Sequence, residues 1–219
     1  KQLDEFVYVV SHDLKAPLRG LASLATFLEE ELGANPRQEA IDILNMMKSR
    51  TGRLQGLIDG ILHYSRMGNV TESKETFSTK ELVISIIDLL SPPANVRFEV
   101  ADGLPEVTAE KIKLHEVFQN LISNSIKYNN KDNSVIKIEF QEFPTHFEFC
   151  VIDNGIGIKE EHQAKIFGIF QTLVPKDKVE STGIGLTIVK KIVEQQGGEV
   201  IVTSKFGKGS CFKFKWMKA

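Results

Sequence analysis

The chain has 219 residues, of which 42% are hydrophobic and 26% charged, and its formal net charge at pH 7 is −2. This balance is typical of a soluble protein of one or two domains. Nucleic acid is not an expected partner, because no basic cluster with interleaved aromatic residues is present. No apolar run approaches the ~20 residues that span a bilayer, and there is no signal peptide. We therefore expect this segment to be cytoplasmic.

The two cysteines, Cys150 and Cys211, both lie within alternating apolar runs. Disulfides are uncommon in reducing compartments, where cysteines behave as small apolar residues. We therefore expect two buried free thiols rather than a disulfide.

A long helical pattern covers residues 1–32. Its apolar positions recur at alternating steps of four and three, as in a heptad stripe: Leu3, Val7, Val10, Leu14, Pro17, Leu21, Leu24 and Leu28. His12 lies two residues from the nearest stripe position on either side, about 160–200° around a helix of 3.6 residues per turn. The imidazole is therefore predicted to face solvent, together with Lys15, Ala16 and Arg19. By itself, a lone surface histidine indicates no function.

A second helical pattern covers residues 37–66, after a Gly-Ala-Asn-Pro breaker at 33–36. Its apolar stripe, also in steps of four and three, comprises Ala40, Leu44, Met47, Thr51, Leu54, Ile58, Ile61 and Ser65, broadened by Ile43, Leu57 and Leu62. The short connection predicts an antiparallel hairpin over residues 1–67. Two helices alone bury too little surface to be stable, so we expect dimerisation into a four-helix bundle. A helical spacer without chemistry would have the same stripe.

The helical period is lost over residues 68–76, which we interpret as a linker. Residues 77–219 then mix helices and strands. Helices are predicted at 80–90, 111–129 and 187–196, and strands at 96–100, 135–143, 146–153, 199–204 and 211–216. This order predicts an α/β two-layer sandwich, with helices on one face of a mixed, largely antiparallel sheet.

Three polar motifs lie in this second region. Asn120, Asn124 and Lys127 recur at steps of four and three on one helix face, where carboxamide oxygens suit Mg²⁺ and an ammonium suits phosphate. Asp-Asn-Gly-Ile-Gly-Ile at 153–158 follows a strand; its carboxylate could accept a hydrogen bond from an adenine amine, and its glycines allow close backbone approach. Ser-Thr-Gly-Ile-Gly-Leu at 181–186 opens a helix, where free N–H groups favour phosphate. Each motif alone is weak evidence, but their order predicts a nucleotide pocket.

Taken together, these residues resemble a sensor histidine kinase: a dimerisation and histidine-phosphotransfer domain (1–67) followed by a Bergerat-type ATP-binding domain (77–219). The resemblance covers the histidine box at 11–19, the asparagine box at 120–128, glycine boxes at 153–158, 183–186 and 207–210, and the aromatic pair Phe167 and Phe170 in a lid at 159–182. The histidine box is most similar to that of phytochrome-like kinases.

The resemblance implies ATP-dependent autophosphorylation of His12, with Asp13 orienting the imidazole, followed by transfer to an aspartate of a response regulator receiver domain. It implies ATP and Mg²⁺ as cofactors, with Asn124 and Asn120 on the metal. It also implies a homodimer and a sensor domain upstream of Lys1. The implied nucleotide-binding residues are Asn120, Asn124, Lys127, Tyr128, Asp153, Gly155, Gly157, Ile158, Phe170, Thr182, Gly183, Ile184, Gly185 and Leu186, with Asp153 on the adenine amine, Tyr128 beside the ring and Lys127 on phosphate.

Two departures from the family pattern limit these expectations. Ala16 stands four residues after the histidine, where kinases with strong phosphatase activity carry Thr or Asn, so we expect a kinase-dominant protein. Gln171-Thr172 stands where many relatives have an arginine after the lid phenylalanine. The alternatives are a Bergerat-fold ATPase, which would need a glutamate where Asn120 lies, and a non-catalytic nucleotide-binding scaffold, which would be free to lose the motifs retained here.

Overall fold

The computed structural model describes residues 2–32, 37–66, 73–171 and 182–218, and at residues 2–13, 16 and 31 it describes the backbone. The chain divides into two compact units, one of residues 1–70 and 174–184 and the other of residues 71–173 and 185–219. Within the described ranges, no helix is long and apolar enough to cross a membrane.

The first unit is a helical hairpin of α1 (Gln2–Glu31) and α2 (Gln38–Arg66), and α1 continues through Pro17. The two helices pack through a buried apolar cluster of Leu18, Ile58 and Leu62. The predicted hairpin is thus confirmed, while the 33–36 breaker and the 67–72 part of the linker lie outside the described residues.

The face that α1 turns toward α2 differs from the predicted stripe. Leu18 and Ala25, seven residues apart, are buried at 9% and 0% exposure. Four members of the predicted stripe are 47–61% exposed in the single chain: Leu14, Leu21, Leu24 and Leu28. Heptad spacing identified an apolar face correctly but not its partner, because α1 has apolar residues on two adjoining faces and only one packs within the hairpin.

The second unit follows the order β1 (Glu75–Ser78), α3 (Thr79–Leu90), β2 (Val96–Val100), β3 (Glu106–Ala109), α4 (Lys111–Lys127), β4 (Ser134–Glu142), β5 (His146–Asp153), α5 (Glu160–Gln163), α6 (Gly185–Gln195), β6 (Val200–Lys205) and β7 (Gly209–Met217). The main sheet has the order β2-β4-β5-β7-β6; β2 and β4 are parallel, and the other neighbours are antiparallel. This confirms the predicted α/β sandwich.

A second, two-stranded sheet was not predicted. β1 and β3 pair antiparallel over four residues each, a length at which alternation is too short to be recognised. β1 begins at Glu75, inside the predicted linker. The predicted domain bounds stay a prediction.

The core lies between the main sheet and its helices. Inward residues of β5 and β7 alternate along each strand, and Phe149 and Phe214 both meet Phe118 of α4 edge-on, with ring centroids 5.4 Å apart in each pair. Such contacts add to the free energy gained by burying the rings. The opposite face of these strands carries charged residues, including the Lys213–Glu148 ion pair of 2.9 Å.

The two cysteines lie on that second face of the sheet. Cys150 and Cys211 are half-buried and joined in a disulfide, with Cα atoms 6.4 Å apart. Strand alternation explains the error in the expectation of buried free thiols. Phe149 and Phe212, next to them in sequence, take the core positions, so the cysteines point to the open face, where the register of β5 and β7 makes them diagonal neighbours.

Candidate nucleotide-binding site

His12 and Asp13 lie on α1, five and four residues before Pro17, and their side chains lie outside the description. The predicted exposure of the imidazole therefore stays a prediction. Lys15, expected on the same solvent face, instead reaches across the hairpin to Asp59 of α2, at 2.5 Å. This contact lowers the pKa of Asp59 below its ordinary value, chiefly through the hydrogen bond from Lys15.

α4 presents the asparagine motif. Asn120 Nδ2 donates to the carbonyl of Glu116 at 2.9 Å, and its Oδ1 lies so close to Gly185 that a Cβ there would be 2.5 Å away. Asn124 is half-buried, and no hydrogen bond to its side chain is present among the described residues. Lys127 is exposed at the last position of α4. On this face of α4, the Nδ2 of Asn120 is therefore held by a backbone carbonyl, whereas its Oδ1 and the Asn124 carboxamide have no hydrogen bond among the described residues.

Asp153 is the last residue of β5, beside the C-terminal end of α4. Its Oδ1 accepts a hydrogen bond from the backbone N–H of Gly155 at 2.8 Å. Burial raises the pKa of the Asp153 carboxyl above its ordinary value, opposed by backbone hydrogen bonds from Gly155 and Ser210 and by the charge of Lys131. A partly buried carboxylate with a fixed orientation suits the recognition of a single donor group.

The loop after Asp153 lies against α4 and the β6–β7 hairpin, with no room for a side chain at Gly155 or Gly157. A Cβ at Gly155 would be 2.6 Å from the carbonyl oxygen of Tyr128, and one at Gly157, where φ is +66°, would be 2.1 Å from that of Lys205. The Ile156 N–H also donates to the Tyr128 carbonyl at 3.2 Å. These contacts fix the backbone of Tyr128, the C-cap of α4, beside the turn that follows Asp153. The position of its ring beside adenine stays a prediction.

Asn154 lies within the motif at 153–158 but was not predicted as a site residue. Its Oδ1 accepts from Asn129 Nδ2 at 2.8 Å and from the N–H of Val135 at 2.9 Å, while its Nδ2 donates to the carbonyl of Asn133 at 3.0 Å. This amide ties the α4–β4 connection to the first glycine motif. An asparagine between an aspartate and a glycine was the available signal, since such residues bond readily to nearby backbone.

Ser204 and Gln163 were also missed. Ser204 Oγ accepts from the N–H of Ile158 at 2.7 Å and donates to the carbonyl of Gly209 at 2.8 Å. Gln163 Nε2 donates to the carbonyls of Ile158 and Ser204, at 3.1 and 2.8 Å. Ile158 is thus anchored where the predicted lid begins. Two of these contacts, from Ile158 and from Gln163 to Ser204, join residues 46 and 41 positions apart, and nothing in the local sequence indicates them.

The remaining predicted residues belong to the lid and the second glycine motif. Residues 172–181 lie outside the described residues. Thr182 is half-buried, Gly183 has a φ of +68°, Ile184 is buried, and Gly185 and Leu186 begin α6. Phe167 is half-buried, whereas Phe170 is 47% exposed with a φ of +64°.

Comparison with known proteins agrees with this geometry. Residues 2–70 match the model of the His Kinase A (phospho-acceptor) domain, and residues 109–219 match the model of the histidine kinase-, DNA gyrase B-, and HSP90-like ATPase.

Three known proteins illustrate the similarity. Cyanobacterial phytochrome B of Nostoc sp. (strain PCC 7120 / SAG 25.82 / UTEX 2576) is 42% identical over 98% of this chain and 29% of its own length. Methanogenesis regulatory histidine kinase FilI of Methanothrix harundinacea is 31% identical over 97% of this chain and 24% of its own length. The solved complex of histidine kinase ThkA with response regulator protein TrrA has a TM-score of 0.66 at 25% identity, covering 98% of this chain and 61% of that one.

The chain therefore spans less than a third of the length of these two curated relatives. Both halves match family models in the order that the motifs predicted, and the similarity to phytochromes agrees with the form of the histidine box. The chain belongs to the sensor histidine kinases and comprises their phospho-acceptor hairpin and ATPase-type domain.

Proposed function

We propose that this chain autophosphorylates His12 with ATP and passes the phosphoryl group to an aspartate of a response regulator receiver domain. The observation that carries the proposal is the asparagine at position 120. Its amide is bonded to the Glu116 carbonyl and its oxygen faces Gly185. Because the residue is an asparagine, this position holds no carboxylate that could activate water. A pocket of this kind favours transfer to a protein nucleophile over ATP hydrolysis.

In the proposed reaction, the neutral imidazole of His12 attacks the γ-phosphorus in line through Nε2. A new N–P bond forms, the bond from phosphorus to the β–γ bridging oxygen breaks, and ADP leaves. A histidine is competent near pH 7 because its reference pKa is about 6.5. Asp13 is assigned to accept the Nδ1–H hydrogen bond and to stabilise the positive charge on the ring.

Nucleotide binding and positioning, which provide most of the catalysis in phosphoryl transfer, are assigned to the residues of the polar motifs. Asp153 is assigned to the adenine amine, since Gly155 and Ser210 hold its carboxylate in place. Tyr128 lies beside it at the helix end, and Lys127 is assigned to phosphate. The remaining contacts are assigned to Gly155, Gly157, Ile158, Phe170, Thr182, Gly183, Ile184, Gly185 and Leu186, the last two of which begin α6.

The residues on α4 fit Mg²⁺. The Asn124 carboxamide is half-buried and has no hydrogen-bond partner among the described residues, so its oxygen is available as a hard ligand. Asn120 keeps its Oδ1 as a second ligand or as an acceptor for metal-bound water. Mg²⁺ takes few protein ligands and completes its shell with phosphate oxygens and water; when bound, it would neutralise charge on the phosphates.

The proposed assembly is a cytoplasmic homodimer that meets a receiver domain. The exposed apolar side chains of α1, such as Leu21 and Leu24, fit a second copy of the hairpin. The kinase ThkA, solved with a response regulator, is similar over nearly all of this chain. A sensor domain upstream of Lys1 would supply the signal, and Ala16 makes the protein kinase-dominant.

The test is incubation with γ-labelled ATP and Mg²⁺, comparing the wild type with His12→Gln. We expect acid-labile, base-stable label on the wild type and none on His12→Gln. His146→Gln, at the far end of β5 from Asp153, is the matched control and should label normally. Phosphate release without protein label would favour the ATPase alternative, and nucleotide binding without label or phosphate release would favour the scaffold.

A further inference from the structure

The disulfide between Cys150 and Cys211 lies outside the hydrophobic core. Both cysteines are half-buried, on the face of the sheet opposite Phe149 and Phe212. Their Cα separation of 6.4 Å is within the range that a disulfide spans without backbone movement. The pair can therefore be closed or opened on an accessible surface while the core packing stays intact.

The neighbours of the pair are those of a solvent-facing sheet surface. Cys150 pairs in register with Lys213 of β7 and with Glu139 of β4. Cys211 pairs with Ile152 of β5 and with Thr203 of β6. α4 packs on the other face of the sheet, where its Phe118 contacts Phe149 and Phe214. A small thiol or disulfide can therefore approach the sulfurs without unfolding the domain.

The pair also lies close in strand register to the assigned adenine contact. Asp153 is three residues beyond Cys150 on β5, and Ser210 immediately precedes Cys211 on β7. Asp153 and Ser210 are register partners, and the Ser210 backbone bonds to the Asp153 carboxylate. A covalent bond between the strands here restrains the two residues that fix the assigned adenine contact. The 61-residue separation of the cysteines also encloses the predicted lid.

We propose that Cys150 and Cys211 are a reversible thiol-oxidation site that adjusts nucleotide binding, and that the structure describes its oxidised form. The oxidant is a low-molecular-weight disulfide of the glutathione class. One cysteine thiolate attacks a sulfur of that disulfide and releases one external thiol. The second cysteine thiolate then displaces the other external thiol from the mixed disulfide. The protein loses two protons and two electrons, and the external disulfide gains them as it becomes two thiols.

The oxidised form binds nucleotide more tightly, because the Asp153 end of β5 is then ordered before the ligand arrives. Ordering a site in advance removes part of the entropic cost of binding. This coupling rests on the ATP binding proposed above, whereas formation of the disulfide itself does not.

The first measurement needs no nucleotide. The 219-residue chain is equilibrated in buffers of varied reduced and oxidised glutathione, and its free thiols are counted with mass spectrometry. We expect a reversible change between two thiols and none within the range of these buffers, without covalent dimer. A disulfide that never forms, or that stays closed at every ratio of reduced to oxidised glutathione, would overturn the proposal.

The second measurement compares the affinity of the oxidised and reduced wild type for a fluorescent ATP analogue. We expect the oxidised form to bind about two- to tenfold more tightly, and Cys150→Ser and Cys211→Ser to bind like the reduced form under both conditions. Equal affinities of the two wild-type forms would overturn the coupling. Absence of binding in both forms, with normal thiol exchange, would instead contradict the proposed function.

Discussion

Asp153 illustrates how one carboxyl group is prepared for a ligand at some cost to folding. Burial at the end of β5 raises its pKa, and two backbone N–H groups and Lys131 only partly oppose that shift. The native state therefore holds the proton more readily than the unfolded chain does. Stability from this group is present at low pH and is lost as the pH rises through the native pKa.

Asp153→Asn removes this pH dependence while keeping an oxygen that can accept the Gly155 N–H. We expect the nucleotide-free variant to be more stable than the wild type at pH 7, with a difference that shrinks as the pH falls toward about 4. Urea unfolding followed by fluorescence of Trp216, the one tryptophan, measures it at several pH values. A variant that is less stable at pH 7, or a difference independent of pH, would contradict the raised pKa. Nucleotide affinity should fall in the same variant.

Gly209 and Gly207 both lie in the β6–β7 hairpin, but they require glycine for different physical reasons. Both have positive φ, +114° and +80°, but a Cβ at Gly209 would lie 2.0 Å from the Asp153 carbonyl oxygen, whereas nothing lies within 4 Å of one at Gly207. We expect Gly207→Ala to cost about 1–2 kcal/mol from backbone strain alone. Gly209→Ala should cost about 3 kcal/mol or more, because β5 and β7 must also move apart. Equal losses in Trp216-detected unfolding would exclude the steric contribution.

At the scale of elements, α1 has two adjoining apolar faces, of which one packs within the hairpin and the other is exposed. Leu18 and Ala25 are buried in the hairpin, whereas Leu21 and Leu28, each three residues further and about 60° around the helix, are 47% and 48% exposed. A row of large exposed apolar side chains on a soluble helix indicates a protein partner. A second copy fits best, because two hairpins complete a four-helix bundle.

Leu24→Glu tests this dimer with Ser23→Glu as its control. Leu24 is 61% exposed, and Ser23 is exposed about 100° around the helix from Leu24 and about 160° from Leu21. Light scattering should give twice the chain mass of 24.6 kDa for the wild type and Ser23→Glu. For Leu24→Glu we expect association at least tenfold weaker, about 1.4 kcal/mol. Unchanged mass of Leu24→Glu at low micromolar concentration would contradict the assigned face.

At the scale of the whole molecule, the two compact units have different sources of stability. The hairpin has a small buried cluster of Leu18, Ile58 and Leu62 and depends on its proposed dimer. The second unit has a layered core around Phe118, Phe149 and Phe214 and contains the proposed ligand site. A higher protein concentration should therefore stabilise the first unit against unfolding, and nucleotide should stabilise the second.

Fluorescence and circular dichroism distinguish the units. Trp216 lies in the second unit, whereas the two longest helices, α1 and α2, lie in the first. We expect an ATP analogue at 100 times its Kd to raise the Trp216-detected stability by about 2.7 kcal/mol. A tenfold increase in protein concentration should raise the unfolding midpoint of the helical signal measured by circular dichroism. The midpoint measured by Trp216 fluorescence should not change. A single coincident transition that responds equally to both would contradict separate stabilisation.

The sequence by itself determined the two helices, the α/β sandwich and the family. Long periodic segments and glycine motifs are local signals that survive without tertiary context, and for this reason the motifs that contain Asp153, Gly155 and Gly185 could be recognised. Their roles in a nucleotide site stay predictions. Their chemistry depends on residue type and on position at a strand end or helix start, both of which can be read locally.

Only the tertiary structure decided the rest, because it depends on contacts between distant residues. The register of β5 and β7 placed Cys150 and Cys211 together on the open face, where apolar runs had predicted burial. The choice of which α1 face packs in the hairpin required α2. Ser204 and Gln163 became site residues only when the β6–β7 hairpin met Ile158. Periodicity defines a face of an element, but its partner is set by the packing of the whole chain.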